Sequence, residues 1–425
     1  MRRRAFVKDG ALSLVTIGLA PALFRRVAFA APTARGTRGK VLVVLFQRGA
    51  ADGLNVLVPH GDASYYALRG GLAVPRPSLA EGTAKELDGF FGLHPAMAPL
   101  LPFWRDGSLA AVHAVGSPSG TRSHFDAQDY LESGTPDVKS TASGWLNRVL
   151  ATRGTCEACA PGTAAASPFR GVSLTPQTPR ILEGPSPTVA MTSLGDFGLR
   201  ASGTAAERLE ALYRTGSADL VHAQAQESFE AVRMLRAADP QRYRPSDGVT
   251  YPAGVFGQRL LQIAQLIKAD VGLEVAFTDI GGWDTHVNQG AATGQLANRL
   301  REFSAGMAAF ARDLGDRMED VLVLTLSEFG RTVRPNGTGG TDHGHAGAMF
   351  ALGGGVRGGQ VLGRWPGLAP EQLYEGRDLA LTTDVRAVLA EVVTGHLGRP
   401  AETLGAVFPG FTPPSAPAGI LRVAR

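Results

Sequence analysis

The chain has very little cysteine: two residues among 425, Cys156 and Cys159. A single C-x-x-C pair excludes a four-cysteine zinc site and a disulfide-dense scaffold. The surrounding residues 152–167 are rich in alanine, glycine, threonine and proline, a composition typical of a surface loop. A small local disulfide in such a loop is the favoured interpretation, and a redox motif or half of a zinc site is the alternative.

Long apolar runs are also missing. The run near the N-terminus, Gly10 to Phe24, contains Gly18 and Pro21. It falls short of the roughly twenty residues that a membrane-spanning helix needs. Later stretches are not long and apolar enough either, so the sequence predicts no stable membrane span after the N-terminal segment.

A strong net charge is absent once the N-terminus is set aside. The whole chain carries a formal charge of +4. Its first 30 residues contain six arginines and lysines and one aspartate, which leaves −1 for residues 31–425. Such a near-neutral body has no general attraction to phosphate backbones, so a nucleic-acid partner is excluded.

The first 30 residues have the order of a targeting segment. Arg2-Arg3-Arg4 precedes the apolar run, and Ala28-Phe29-Ala30 supplies the small residues of a cleavage site. We predict a twin-arginine signal peptide at residues 1–30, with an N-terminal membrane anchor as the alternative. The Tat translocase is then the expected partner, and the mature protein is periplasmic or secreted.

Apolar runs and helical periodicity alternate along the rest of the chain. Continuous apolar runs predict strands that are buried on both faces, as in a parallel sheet. The predicted strands are Lys40–Phe46, Leu109–Val115, Leu273–Ile280, Val321–Leu326 and Ala348–Leu352, and the predicted helices are Pro95–Trp104, Ser123–Glu132, Ala205–Ala238, Val255–Ala269, Gly294–Met318 and Thr383–Gly398. This alternation predicts the α/β class: a doubly wound, mainly parallel sheet with helices on both faces.

The domain organisation is expected to be simple, because no internal repeat or clear linker interrupts residues 40–412. We predict a linker at 31–39, one α/β domain at 40–412 and a C-terminal tail at 413–425. Within the domain, the proline-rich segment Gly171–Thr192 has only short strand-like pieces.

Carboxylates and imidazoles follow the predicted strands. They are Asp52 after the first strand, His124 after the second, Asp284 and His286 after the third, and Glu328, Asp342, His343 and His345 after the fourth. Ligands bind beyond the carboxyl ends of parallel strands, and these side chains are ligands of divalent ions. They predict a metal or polar catalytic site, and polar loops with capping carboxylates and surface histidines are the alternative.

Ser123 stands at the predicted start of a helix, where backbone N–H groups favour an anion. One interpretation is a nucleophile activated by a metal, with Arg122 holding a phosphate or sulfate oxygen. The other is a plain N-cap, with His124 as the ligand or base. Arg331 lies three residues after Glu328, which fits either a local ion pair or an arginine that orients the carboxylate or contacts substrate.

Several short strings occur in a fixed order between residues 40 and 400. They are Val44–Asn55, Leu93–Pro95, Arg122–Gln128, Gly281–His286, Ser327–Thr332 and Gly340–Gly344. In these strings the chain resembles a bacterial family of unassigned activity, the DUF1501 proteins. That family is similar to a remote branch of the alkaline phosphatase and sulfatase superfamily. The resemblance implies an alkaline-phosphatase-like fold in which Asp52, Asp284, His286, Glu328 and His343 fall at metal-ligand positions and Ser123 at the nucleophile position.

Two departures from the superfamily pattern bear on function. Glu328-Phe329 stands where the superfamily has an Asp-His pair, which removes one imidazole, and the formylglycine signature of sulfatases is absent. The resemblance implies an exported metal-dependent hydrolase of an anionic phosphate or sulfate ester, with zinc, calcium or magnesium as the divalent ion. The missing imidazole leaves open a non-catalytic envelope protein that binds a glycan or a protein partner.

Overall fold

The computed structural model describes residues 39–152, 167–195 and 242–422. The predicted signal peptide at 1–30, the Cys156–Cys159 pair and the predicted helix Ala205–Ala238 lie outside the described residues. Within the described ranges, none of the helices combines the length and apolar character that crossing a membrane requires.

A large, mainly parallel sheet organises the described residues. In chain order their strands are β1 (Val41–Gln47), β2 (Leu57–Val58), β3 (Lys85–Glu86), β4 (Gly92–Leu93), β5 (Leu109–Gly116), β6 (Gly171–Ser173), β7 (Val189–Ala190), β8 (Val275–Ile280), β9 (Val321–Leu326), β10 (Gly347–Gly353), β11 (Val361–Leu362) and β12 (Thr383–Asp384). The main sheet has the order β11-β5-β10-β9-β1-β8-β6-β7, and β12 pairs with β5. Its pairs are parallel except those that β10 makes with β5 and β9. The predicted α/β class is confirmed.

The direction of β10 and a second, small sheet are not predicted by the sequence pattern. β10 runs antiparallel between its neighbours, with Leu352 opposite Leu109 on β5 and Val323 on β9. An apolar run reports that a strand is buried but carries no information about its direction. The small sheet joins β2, β4 and β3, whose two-residue strands are too short for a hydrophobic period to show.

Helices cover both faces of the main sheet. The α-helices of the described residues are α1 (Gly53–Val56), α2 (Ala63–Arg69), α3 (Leu101–Arg105), α4 (His124–Ser133), α5 (Trp145–Ala151), α6 (Val255–Lys268), α7 (Gln295–Leu314), α8 (Val385–Glu391) and α9 (Leu404–Val407). Val43 and Leu45 of β1 pack into one core with α6 and α7, while the alternate residues Leu42 and Val44 pack into another with α5, α8 and α9. Burying each such side chain contributes about 1.5–3 kcal/mol. The doubly wound arrangement is therefore confirmed.

Three predicted helices change type or are interrupted, for local reasons. The predicted ranges were Pro95–Trp104, Gly294–Met318 and Thr383–Gly398. The first begins as a 3₁₀ turn, Pro95–Leu100, because Pro99 has no backbone donor. The second ends at Gly315, whose φ of +51° breaks the helix. The third starts only after Asp384, whose side chain accepts from Arg386 N, and it finishes in a π turn, Val392–His396.

The described end of the chain is packed against the domain. Ile420 is buried, and Leu421 forms a bridge with Val356. Glu391 on α8 accepts hydrogen bonds from the backbone N–H groups of Gly419 and Leu421, each at 2.8 Å. Part of the segment predicted as a tail therefore belongs to the packed structure.

One edge of the main sheet collects the residues that the sequence singles out. β1, β8 and β9 are parallel, and β5 runs the same way because β10 is antiparallel to both β5 and β9. The carboxyl ends of these four strands therefore point to the same side. The loops that follow them carry the candidate site residues.

Candidate metal centre

Ligand-type atoms from three loops converge on the carboxylate of Asp284. Its Oδ1 lies 3.0 Å from His286 Nε2, 3.2 Å from His343 Nε2 and 3.5 Å from His124 Nε2. The Nε2 atoms of His286 and His343 are 2.9 Å apart. His124 begins α4 after β5, Asp284 and His286 follow β8, and His343 precedes β10. The structure thus brings together four of the residues that the sequence singles out.

The spacing of these atoms suits a divalent ion. Ligand atoms of His124, Asp284 and His343 all lie within 4.8 Å of one another. Bonds of about 2.0–2.1 Å to a tetrahedral zinc ion place its ligand atoms about 3.3 Å apart. The distances from Asp284 Oδ1 to the three imidazole Nε2 atoms lie close to this value. The Nε2 atom of His286 lies next to that of His343.

Each imidazole uses its other nitrogen to hold an acceptor outside the cluster. His124 Nδ1 lies 2.8 Å from Glu328 Oε1, His286 Nδ1 lies 2.9 Å from Asp342 Oδ1, and His343 Nδ1 lies 2.8 Å from the carbonyl oxygen of Arg122. Carboxylate and carbonyl oxygens only accept, so each Nδ1 carries the proton. A partner of this kind on the far nitrogen is typical of metal-binding histidines.

The Nε2 lone pairs of the three histidines are consequently directed at one another and at Asp284. Two neutral acceptors 2.9 Å apart, as in His286 and His343, repel each other unless a cation or a shared proton lies between them. Among the described residues, His124 Nε2 is buried and has no hydrogen-bond partner. The hydrogen bond to Glu328 raises the pKa of His124. The Nε2 lone pairs and the Asp284 carboxylate together form a group of atoms that is complementary to a cation.

Arg331 holds Asp284 from behind. Its guanidinium is 0% exposed, and Nη2 donates to Asp284 Oδ1 at 2.5 Å. The remaining donors bind the backbone oxygens of Ala50, Thr341, Gly49 and Trp283. Burial raises the pKa of Asp284, but Arg331 outweighs it and lowers that pKa to about 2. Arg331 therefore orients Asp284 and not Glu328, the carboxylate considered from the sequence, and its buried guanidinium offers no exposed surface to a substrate.

Glu328 lies behind His124 and is not among the converging atoms. Its side chain is fully buried, and Oε1 accepts from Gly49 N, His124 Nδ1 and Gln128 Nε2, each at 2.8 Å. Burial raises the pKa of Glu328, but the hydrogen bonds from His124 and Gln128 outweigh it, so the pKa lies below its usual value. The residue that was expected to bind a metal is thus an ionised carboxylate that orients the imidazole of His124.

Asp342 binds Nδ1 of His286 in the same way that Glu328 binds Nδ1 of His124. Its carboxylate is half exposed, and Oδ1 accepts from Asn336 Nδ2 at 3.0 Å as well as from His286. The Asn336 hydrogen bond lowers the pKa of Asp342. Asp342 therefore orients His286 instead of joining the converging atoms.

Asp52 lies in a separate buried network. Arg69 donates to both of its oxygens, at 2.7 and 2.5 Å, and Gln289 Nε2 donates to Oδ2 at 2.6 Å. Gln289 Oε1 in turn accepts from Thr285 and Thr341, which adjoin Asp284 and Asp342 in the chain. The carboxylate expected to bind a metal is thus paired with arginine, and it supports the loops that carry the ligands.

His345 and the side chain of Arg122 also lie outside the converging atoms. His345 is buried and stacks on Tyr374 with ring centroids 4.2 Å apart, and burial lowers its pKa. The Arg122 guanidinium is bound by Asp378 and Glu375, each at 2.7 Å. These two carboxylates offset the charge of the guanidinium, so little net positive charge remains there for a substrate anion.

Ser123 is the N-cap of α4, as predicted. Its Oγ accepts from Asp126 N at 3.4 Å, and the residue is half-buried directly before His124. Phe329, the neighbour of Glu328, is buried and stacks on His124 with centroids 4.9 Å apart. The position of the missing imidazole is therefore an apolar wall of the centre.

Glycines let the ligand loops pack backbone to backbone. Gly49, with φ of +115°, lies against the backbone of Trp283 and Asp284, where a Cβ would come within 2.7 Å of Asp284 N. Gly340 lies against the carbonyl of His286 in the same way. A larger residue at either position would push Asp284 or His286 away from the cluster.

The residues that orient the carboxylates were not among those predicted from the sequence. Gln128 and Asn336 bind Glu328 and Asp342, while Arg69 and Gln289 bind Asp52. Gln128 had a readable signal, because it lies one helical turn after His124 on the predicted helix. The other contacts join separate loops and have no signature in a single sequence.

Solved structures resemble the chain at low sequence identity. No curated protein matches the chain. The chain is similar to the solved C-terminal periplasmic domain of EcEptC from Escherichia coli in complex with zinc, at 10% identity and a TM-score of 0.35, covering 75% of this chain and 73% of that one. It is also similar to the lipoteichoic acid synthase LtaP from Listeria monocytogenes, at 8% identity and a TM-score of 0.34, covering 76% of this chain and 68% of that one. Scores this low carry no argument about fold or activity.

The family comparison covers most of the chain. The family model described as "Protein of unknown function (DUF1501)" matches residues 39–407, a range that includes each residue of the converging cluster and the residues behind it. The protein is therefore a member of the DUF1501 family.

Proposed function

We propose that the protein is a metal-dependent hydrolase of phosphate or sulfate esters. The observation that carries this proposal is the convergence of three imidazole Nε2 atoms on Asp284 Oδ1 while each Nδ1 is held by an acceptor outside the cluster. A polar surface loop would pair imidazole lone pairs with donors. A set of bare lone pairs around one carboxylate is instead the arrangement that a metal ion needs.

Zinc fits the donor set better than calcium or magnesium. Calcium and magnesium take oxygen ligands, in sites of about six or more ligands. Zinc binds imidazole nitrogen and carboxylate oxygen in a four-coordinate site. The centre offers nitrogen atoms from His124, His286 and His343 and one oxygen from Asp284. Zinc can accept a substrate oxygen as a fifth ligand in the transition state. We therefore propose zinc as the resident ion.

The chain's own residues divide the chemistry among them. A bound divalent ion would polarise an ester oxygen and lower the pKa of a nearby hydroxyl or water. Asp284 and the histidines hold that ion, Arg331 keeps Asp284 ionised, and Ser123, at the start of α4 beside His124, is the candidate nucleophile. Attack by Ser123 Oγ on phosphorus or sulfur would form a seryl ester and break the bond to the alcohol oxygen, which takes up the serine proton. Water would then hydrolyse the seryl ester, which releases phosphate or sulfate and regenerates the serine hydroxyl.

The test is hydrolysis of p-nitrophenyl phosphate and p-nitrophenyl sulfate by zinc-loaded protein. We expect the double variant Asp284→Ala, His343→Ala to lose bound zinc and more than about 100-fold of the activity, because it removes two members of the cluster. The matched control is Asp316→Ala with His60→Ala, which lies outside the cluster. Equal activity of the two double variants would overturn the proposal.

Binding without catalysis is the competing function, and Phe329 favours it, because an apolar ring stands where an imidazole is expected. The two functions separate in the same experiment. Stoichiometric zinc without hydrolysis of either ester would support an exported protein that binds a glycan or protein partner. Turnover that depends on Asp284 would support the hydrolase.

We further propose that the Tat translocase exports the protein to the periplasm or beyond. The paired arginines, short apolar run and small residues at 28–30 support this proposal. The test is the location of the full chain after Arg3→Lys and Arg4→Lys substitution in a host with an intact Tat pathway. Accumulation of uncleaved protein in the cytoplasm is the expected result, and unchanged export would contradict the route.

A further inference from the structure

A directional chain of hydrogen bonds runs behind His124. Arg48 Nη1 donates to Gln128 Oε1 at 2.9 Å, and Gln128 Nε2 donates to Glu328 Oε1 at 2.8 Å. The same Glu328 oxygen accepts from His124 Nδ1 at 2.8 Å. Because arginine only donates, the amide oxygen of Gln128 faces Arg48 and its amino group faces Glu328. The orientation of this amide is therefore determined by its neighbours.

Arg48 is itself held in place. It follows β1, and besides Gln128 it donates to Glu132 Oε1 at 2.9 Å and to Asp279 Oδ2 at 2.6 Å. His124, Gln128 and Glu132 are spaced by four residues on α4, so they share one face of the helix. Arg48 thus ties that face to the ends of β1 and β8 and cannot turn away from Gln128 without leaving two acidic partners.

Glu328 Oε1 is saturated by donors. It accepts from Gly49 N, Gln128 Nε2 and His124 Nδ1, and the carboxylate is buried. A buried oxygen with three N–H donors is stable as an anion and has no capacity to donate back. The proton between Glu328 and His124 therefore resides on Nδ1 of the imidazole, so Nε2 is a lone pair whenever the ring is neutral.

We propose that Gln128, oriented by Arg48, is a positioning residue that fixes His124 as the Nδ1–H tautomer and so keeps Nε2 available to a metal ion. The inference rests on the proposed function, since it assigns a task at the same site. Gln128 acts through Glu328 and touches neither the ion nor the substrate. Loss of its amide would free the carboxylate to turn and the imidazole ring to leave the cluster.

The test compares Gln128→Met, which keeps length and removes the donor, with the control Gln258→Met on the exposed face of α6. We expect the zinc affinity, measured by competition with a chelator, to fall about 10–100-fold in Gln128→Met and to stay unchanged in the control. Long-range ¹H–¹⁵N correlation spectra of histidine-labelled protein report the His124 tautomer directly. We expect Nδ1–H in the wild type and a tautomer mixture in Gln128→Met.

A double-variant cycle separates positioning from packing. If Gln128 acts through Glu328, Gln128→Met should cost no further zinc affinity in a Glu328→Gln background. Equal losses in both backgrounds, or an unchanged tautomer, would overturn this inference and leave the proposed function standing. A wild-type protein that binds no zinc would overturn the proposed function, and the inference with it.

Discussion

Two amide–carboxylate–imidazole chains support the candidate metal centre, and they differ in burial. Glu328 connects Gln128 to His124 with a side chain that is 0% exposed. Asp342 connects Asn336 to His286 with a side chain that is 51% exposed. The chemical components are the same in both chains, so the surroundings decide what each contributes.

The two chains are also assembled differently. Gln128 and Glu328 are 200 positions apart and meet only when α4 packs beside the end of β9. Asn336 and Asp342 are 6 positions apart in one loop. Charged hydrogen bonds are stronger away from water and are weakened by it at the surface. The His124 side of the centre is therefore preorganised by the fold, whereas water can reach and replace the contacts on the His286 side.

The largest effect on stability is expected at the buried Arg69–Asp52 ion pair. It tests how much the buried polar contacts around the centre contribute to the free energy of unfolding. Arg69→Met leaves the Asp52 carboxylate buried without its main partner, which costs about 3–5 kcal/mol in the free energy of unfolding. Urea denaturation measures this cost, with the exposed Arg105→Met as the control. A loss no larger than in the control would show that the buried network contributes little.

The second prediction compares the zinc affinity of variants in the buried and in the exposed carboxylate. We expect Glu328→Gln to weaken zinc binding about 10–100-fold. Asp342→Asn should weaken it less, because water can replace a half-exposed partner of His286. Competition titration with a chelator measures both affinities under the same conditions. Equal losses, or a larger loss in Asp342→Asn, would contradict the preorganised role of the buried chain.

The smallest effect near neutral pH concerns histidines away from the centre. Burial lowers the pKa of His94, His113 and His396 to about 4, whereas in the unfolded chain the pKa is about 6.5. The unfolded chain therefore binds more protons between these values, so stability is complete above about pH 6.5 and is lost as the pH falls towards 4. His396→Gln should flatten this dependence in denaturation curves recorded from pH 7 to 5. An unchanged slope would contradict the assignment.

Much of the main sheet could be predicted from the sequence because strands that are buried on both faces consist mainly of apolar residues. β1 and β9 are buried at every position because both faces meet a core, and their nearly continuous apolar residues predicted them. The direction of β10 left no pattern. The proximity of His124, Asp284 and His343 followed from one rule, that the carboxyl ends of parallel strands share an edge.

The roles of the individual carboxylates could not be predicted from the sequence. Asp52, Asp284 and Glu328 each follow a strand, so they look alike in sequence. Their roles depend on what faces them: Arg69 for Asp52, Nε2 lone pairs for Asp284, and a proton-bearing Nδ1 for Glu328. Such partners come from distant segments and become visible only in the folded chain.

X-ray absorption at the zinc edge of the zinc-loaded protein would show whether Asp284 and the histidines bind the ion. We expect a shell of nitrogen and oxygen atoms at about 2.0–2.1 Å with the outer-shell scattering of imidazole rings, and loss of that signal in Asp284→Ala, His343→Ala. An oxygen-only shell, or a spectrum that this double variant leaves unchanged, would contradict a metal centre built on Asp284 and the three histidines.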